Sequence, residues 1–226
     1  MKEYRALLSL LQLASPSLPI GAYTYSQGLE SGIEQGLVRD EASAREWILE
    51  AIGIVADFEL PILWRLLKAF SARDVTGVIE WTERFIASRD TAEFRAETIQ
   101  MGYSLAKLVT DLKIGDPSLR AILESQPEIP LPTAFACAAE ALVVAHDDAL
   151  LGMLFSMAEN QVLVCVKSVP LGQLSGQRLL LSLHGAIEIA SRRSRELADD
   201  ELSSWSPGLS LLSMQHEVQY SRIYRS

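Results

Sequence analysis

The residues able to do bond chemistry are few and scattered. The three histidines, His146, His184 and His216, lie far apart along the chain. No Cys-x-x-Cys, His-Glu-x-x-His or histidine-rich tract supplies the spacing that a metal needs. His216-Glu217 is at most a loose surface pair, and a lone histidine there reads first as a hydrogen-bonding polar residue. Ser15, Ser17 and Ser26 flank a turn, but no Gly-x-Ser-x-Gly elbow accompanies them, so capping is their expected work. Pro170-Leu171-Gly172-Gln173-Leu174-Ser175-Gly176-Gln177 contains glycines without the Gly-x-x-x-x-Gly-Lys-Ser/Thr phosphate cradle. The pairs Asp147-Asp148 and Asp199-Asp200 fall where a helix start or a solvated loop is expected. The residues predict no catalytic group, no metal site and no cofactor, hence a chain that is not an enzyme.

Composition points the same way. At 226 residues the chain suits one domain with a sizeable core. Its hydrophobic share of 49% and mean hydropathy of +0.16 predict an apolar interface beyond the core, hence an oligomer or an obligate partner. A net charge of −9 argues against nucleic acid, which needs a basic face. The one dense basic cluster, Arg192, Arg193 and Arg195, is ringed by Glu188, Glu196, Asp199, Asp200 and Glu201. Cys137 and Cys165 sit in apolar stretches and are expected as buried, reduced thiols. Met1-Lys2-Glu3-Tyr4-Arg5 does not resemble a signal peptide, so a cytoplasmic protein is expected. No membrane span is expected either, because the candidate from Ala138 to Phe155 is interrupted by His146-Asp147-Asp148.

Helical periodicity dominates the chain. Leu7, Leu8 and Leu11 repeat at helical spacing until Ser15-Pro16-Ser17-Leu18-Pro19. Ser26, Leu29, Ile33 and Leu37 suggest a helix ending near Gly36. Asp40 is an N-cap for the next, with Trp47, Ile48, Ala51, Ile54 and Val55 along it, and Pro61 is expected to kink or break it. Helices are predicted over 75–87 and 91–113. Others should start at Asp116-Pro117 and near Pro132-Thr133. Asp147 is expected to cap a long helix toward Lys167. Gln161-Val162-Leu163-Val164-Cys165-Val166 is strand-like in isolation but has no partner run, so it is assigned to that helix. One more helix is predicted over 173–197, and Trp205-Ser206-Pro207-Gly208 marks a break. The fold class is therefore all-α, a single-domain bundle of about eight to ten helices over 1–212, followed by a tail at 213–226.

Three segments depart from this pattern. Pro16-Ser17-Leu18-Pro19-Ile20-Gly21 fixes a turn and presents Tyr23 and Tyr25 just after it. Asn160 and Gln161 lie in a very apolar helix ending at Lys167. With Gln173 and Gln177 they suggest hydrogen-bonded packing between two helices. The tail, Met214 to Ser226, carries Tyr220, Arg222, Tyr224 and Arg225, of the types enriched in binding hot spots. Tyr220, Ile223 and Tyr224 also share the spacing of a docking helix.

Together these segments resemble the urease accessory protein F family (UreF). The resemblance rests on Pro16 to Gly21 with Ser26, Gly28, Leu29 and Glu30, and on Glu97-Thr98 with Met101-Gly102. It rests further on Asn160-Gln161 with Val166-Lys167 and Val169 to Gln173, on Gly176-Gln177-Arg178, and on the tail. Gln215, where the family is expected to carry a basic residue, and Tyr224, where Phe is common, depart from the pattern.

The resemblance implies an all-helical homodimer that is a chaperone or scaffold subunit. Its implied partners are UreD (also called UreH), the GTPase UreG and apo-urease, into which the complex inserts nickel. Under this reading Tyr220, Ser221, Arg222, Tyr224 and Arg225 dock on UreD/UreH. Tyr23, Tyr25, Lys167 and Gln173 build a platform for UreG. The alternative is a GTPase-activating regulator in which Arg222 or Arg225 is an arginine finger on UreG.

Overall fold

The computed structural model describes residues 2–226. Among these, eleven α-helices and one 3-10 turn build a bundle with no strand. The helices are α1 (Lys2–Leu13), α2 (Leu29–Glu34), α3 (Glu41–Asp57), α4 (Glu59–Ala72), α5 (Val75–Ala87), α6 (Ala92–Asp111), α7 (Pro117–Glu124), α8 (Leu131–Ala141), α9 (His146–Ser168), α10 (Gln173–Glu196) and α11 (Pro207–Glu217), with the 3-10 turn at Ala22–Thr24. The count exceeds the eight to ten expected because the stretches that contain Pro61 and Pro207 in their first turns are helices of their own.

Local chemistry sets most boundaries. Asp40 caps α3 by accepting from the Ser43 N–H, while Ser43 Oγ accepts in return from the Asp40 N–H. Asp116 caps α7, and Pro117 occupies its first position, where a missing N–H costs nothing. Pro61 does not break a helix by itself. The chain bends at Phe58, and Pro61 falls in the first turn of α4, where proline is tolerated. Asp147 is not the cap of α9; Ala145 precedes that helix, and Asp147 instead pairs with Arg195 at 2.6 Å.

α9 is the central post. It packs against α10, α3, α4, α1, α2 and α8. Contact on so many sides explains a helix apolar nearly all round, including the strand-like run. Contrary to the sequence expectation, α9 is long and apolar enough to cross a membrane by length and composition, with a mean hydropathy of 1.6 over its best window. Half of that window is buried in the bundle. The amphipathic α10 lies along it, with Leu179, Leu180, Leu183, Ile187 and Ala190 inward. Cys137 and Cys165 are both free and buried. On α1, however, Leu7, Leu8 and Leu11 stay exposed, and Leu10 and Leu13 do the packing.

α6 and α8 approach so closely that one glycine is obligatory. A Cβ on Gly102 would lie 2.0 Å from the main-chain oxygen of Ile129, which belongs to the backbone entering α8 and cannot swing away. Gly102→Ala is expected to cost about 3 kcal/mol through forced separation of the two helices. Urea unfolding followed by circular dichroism should show the midpoint fall without a change in native helicity.

Candidate functional site

The two outlying segments of the sequence meet in space. Gly21 and Gly28 both take positive φ, at 79° and 80°, and turn the chain tightly into and out of the stretch that carries Tyr23 and Tyr25. α9 holds this stretch from below. Asn160 Nδ2 donates to the Tyr25 carbonyl at 2.9 Å, and Gln161 Nε2 donates to the Ser26 carbonyl at 3.0 Å. Trp47 Nε1 fixes the amide of Gln161 by donating to its Oε1 at 3.1 Å. From the other side, the Arg225 N–H donates to the Thr24 carbonyl at 2.8 Å. The Ser26 N–H and hydroxyl both donate to the main-chain oxygen of Ser226. The tail thus lies beside the N-terminal turn.

Beneath the tail is a buried charged cluster. His216, 0% exposed, stands between two carboxylates: Nε2 is 3.0 Å from Glu30 Oε2, and Nδ1 is 3.0 Å from both oxygens of Glu93. Glu30 also accepts the main-chain N–H of Ile223 at 2.7 Å and of Tyr224 at 3.0 Å. Arg222 reaches Glu93 from solvent at 3.4 Å. One turn further along α6, Glu97 accepts from Gln27 at 3.0 Å and from the Ser226 hydroxyl. A partly open pocket of about 70 Å³ adjoins Glu97, lined also by Gln27, Gln161 and Arg89.

Burial pushes the Glu97 carboxyl up to about 7, against the hydrogen bonds from Ser226 and Gln27 that pull it down. A carboxyl whose folded value lies above its unfolded value favours folding below the unfolded value. That contribution is lost as pH rises from about 4.5 through about 7. Glu97→Gln should remove this term, so the stability of the variant should fall less between about pH 5 and about pH 8 than that of the wild type, by up to about 3 kcal/mol. Thermal unfolding at the two pH values measures the difference.

The structure separates the predicted site residues into two groups. Tyr23, Lys167, Gln173, Tyr220, Ser221, Arg222 and Arg225 are exposed, and Tyr220 is fully so. Tyr25 and Tyr224 are buried, at 6% each, so neither side chain is presented to a partner in this conformation. Lys167 lies above the ring of Tyr224, with Nζ 5.9 Å from its centroid. The expected hydrogen bonding between α9 and α10 is not found. Gln173 and Gln177 face solvent, and Asn160 and Gln161 are committed to the N-terminal turn. The boundary placed after residue 212 falls inside α11, whose Ser213 and His216 are buried.

The sequence reading missed Glu93 and the depth of His216. Glu93 sits in the first turn of α6 behind the Thr91 cap, where an acidic residue already has an ordinary helix-dipole explanation. The signal available for His216 was its helical register with the buried Leu212 and Ser213.

A sequence model of the family UreF matches residues 38–184. The chain belongs to the UreF family. It is 80% identical to a protein named urease accessory protein UreF from Nitrosospira multiformis, over 100% of both chains. It is 68% identical to the protein of that name from a Janthinobacterium species, over 99% of this chain and 100% of the relative. A third, from an Azoarcus species, is 47% identical over 97% of this chain and 95% of its own length. The family model ends before α11, whereas the relatives align through the tail, so the UreF likeness extends to the site formed by both outlying segments.

Proposed function

We propose that the chain is a urease accessory protein: a non-enzymatic chaperone and scaffold subunit that works with UreD/UreH and the GTPase UreG to promote nickel insertion into apo-urease. The observation that carries this reading is end-to-end identity, up to 80%, with proteins whose names state the accessory role. The exposed surface suits a scaffold. Tyr23, Tyr220, Arg222 and Arg225 are solvent-facing residues of hot-spot type around one locus, and Ile223 and Met214 add exposed apolar area beside them. The working form is a homodimer, and Lys167 and Gln173, exposed at neighbouring helix ends, extend the surface toward UreG.

The geometry dictates which variants test this. Truncation after Ser213 would remove His216 and leave Glu30 and Glu93 buried without their partner, so it would confound folding with binding. The exposed side chains are the cleaner probes. The double variant Tyr220→Ala, Arg225→Ala should keep native helicity and lose co-purification with UreD/UreH, each anchor contributing on the order of 2 kcal/mol. Retained co-purification would overturn the assignment of the tail. Lys167→Ala should weaken UreG recruitment and leave dimerisation intact.

GTP turnover by UreG separates the scaffold from a GTPase activator. A scaffold leaves turnover nearly unchanged. An arginine finger raises it by several orders of magnitude and loses the effect in Arg222→Ala or Arg225→Ala.

A further inference from the structure

His216 is held in a way that demands one extra proton. Both ring nitrogens face carboxylate oxygens at 3.0 Å. An ionised carboxylate only accepts, and a neutral imidazole has a single N–H. One of the two contacts therefore lacks a hydrogen unless the ring is an imidazolium or one glutamate is protonated. The proton count is the same in either case. The site is closed to water on the histidine side, so a missing hydrogen there leaves a nitrogen lone pair against a buried carboxylate.

The same carboxylate of Glu30 fastens the tail, because it accepts the N–H groups of both Ile223 and Tyr224. We propose that Glu30, His216 and Glu93 form a proton-dependent latch: one shared proton keeps residues 223–226 folded against the N-terminal turn, and its loss in alkaline solution frees them. Losing the proton sets Glu30 and Glu93 against the ring and displaces Glu30 from the tail amides. Release also breaks the bonds of Arg225 to Thr24 and of Ser226 to Ser26 and Glu97, which the loss of this proton does not itself alter. Opening should rise by up to about tenfold per pH unit over the range in which the closed form keeps a proton that the open form has released. The freed segment exposes the Tyr224 side chain, which the closed form keeps inside.

Each charged group that faces the cluster has a defined effect. From α2 and α6, Glu30 and Glu93 hold the proton. From the tail, Arg222 offsets part of the charge of Glu93 but stays 42% exposed and cannot replace the buried hydrogen. On α11 itself, Glu217 points to solvent. From α9, Lys167 lies over the Tyr224 ring. Glu97, a turn away on α6, holds Gln27 and Ser226, and its own ionisation at about 7 is a separate source of pH dependence that Glu97→Gln removes. The latch holds for the isolated chain whatever partner the tail meets.

Amide hydrogen exchange of the full chain, corrected for intrinsic rates, tests the latch between about pH 6 and about pH 9.5. The wild type should lose protection at Ile223 and Tyr224 as pH rises while α9 stays protected. Glu93→Gln supplies its own N–H to the ring, so a neutral His216 then satisfies both neighbours, and the tail should stay protected across the range. Glu97→Gln, which lacks the titration of Glu97, should still lose protection at Ile223 and Tyr224 as pH rises. Constant wild-type protection up to the highest pH overturns the proposal. So does opening of Glu93→Gln in parallel with the wild type, or loss of the pH dependence in Glu97→Gln. Should Glu93→Gln fail to fold, ring-nitrogen and carboxyl NMR shifts of the wild type decide. An imidazolium or one protonated glutamate at about pH 6 is expected. A neutral ring beside two ionised glutamates overturns the latch.

Discussion

The buried pairing of His216 with Glu30 and Glu93 constrains more of this molecule than any single apolar contact. Charged groups this deep are tolerated only when they face one another at hydrogen-bond distance. Meeting that condition fixes three elements together. α2 must present Glu30, the first turn of α6 must present Glu93, and α11 must lie across both so that one ring touches each. The spare lone pairs of Glu30 then determine where the backbone after α11 can go.

A second constraint comes from the central helix. α9 is surrounded by apolar neighbours, yet it carries Asn160 and Gln161 on the one side where an irregular backbone crosses it. Those amides supply the donor that the Tyr25 carbonyl would otherwise lack and a second donor for the Ser26 carbonyl, which also accepts from the Leu29 N–H. The result divides the last residues by side. Tyr224 and Ser226 are spent on the chain's own packing, while Tyr220, Arg222, Ile223 and Arg225 face outward. A stretch read from the sequence as one docking segment is, in three dimensions, half anchor and half surface.

Much of the fold was legible in the sequence because helix ends are written locally. The Asp40–Ser43 box and Asp116-Pro117 satisfy amides within the same turn, so their neighbours suffice to identify them. The presence of polar residues in α9 was equally visible, but their destination was not. Gln161 reaches a carbonyl 135 positions away, and nothing around it in the chain distinguishes that partner from Gln173. α1 shows the opposite failure: helical spacing does not say which of two leucine stripes faces inward, and Leu7, Leu8 and Leu11 turned out to be the outer one. His216 and Glu93 were obscured because a histidine near a chain's end and an acid in a helix's first turn both have sufficient local explanations.

The Ser26–Ser226 contact spans 200 positions, and Glu30 bonds to Tyr224 across 194. Closing loops of that size costs chain entropy that contacts within one helix do not. Such contacts also raise the mean sequence separation of contacting residues, which slows folding relative to a bundle held by local contacts alone. The tail contacts thus weigh on the folding rate of the chain as well as on its final packing.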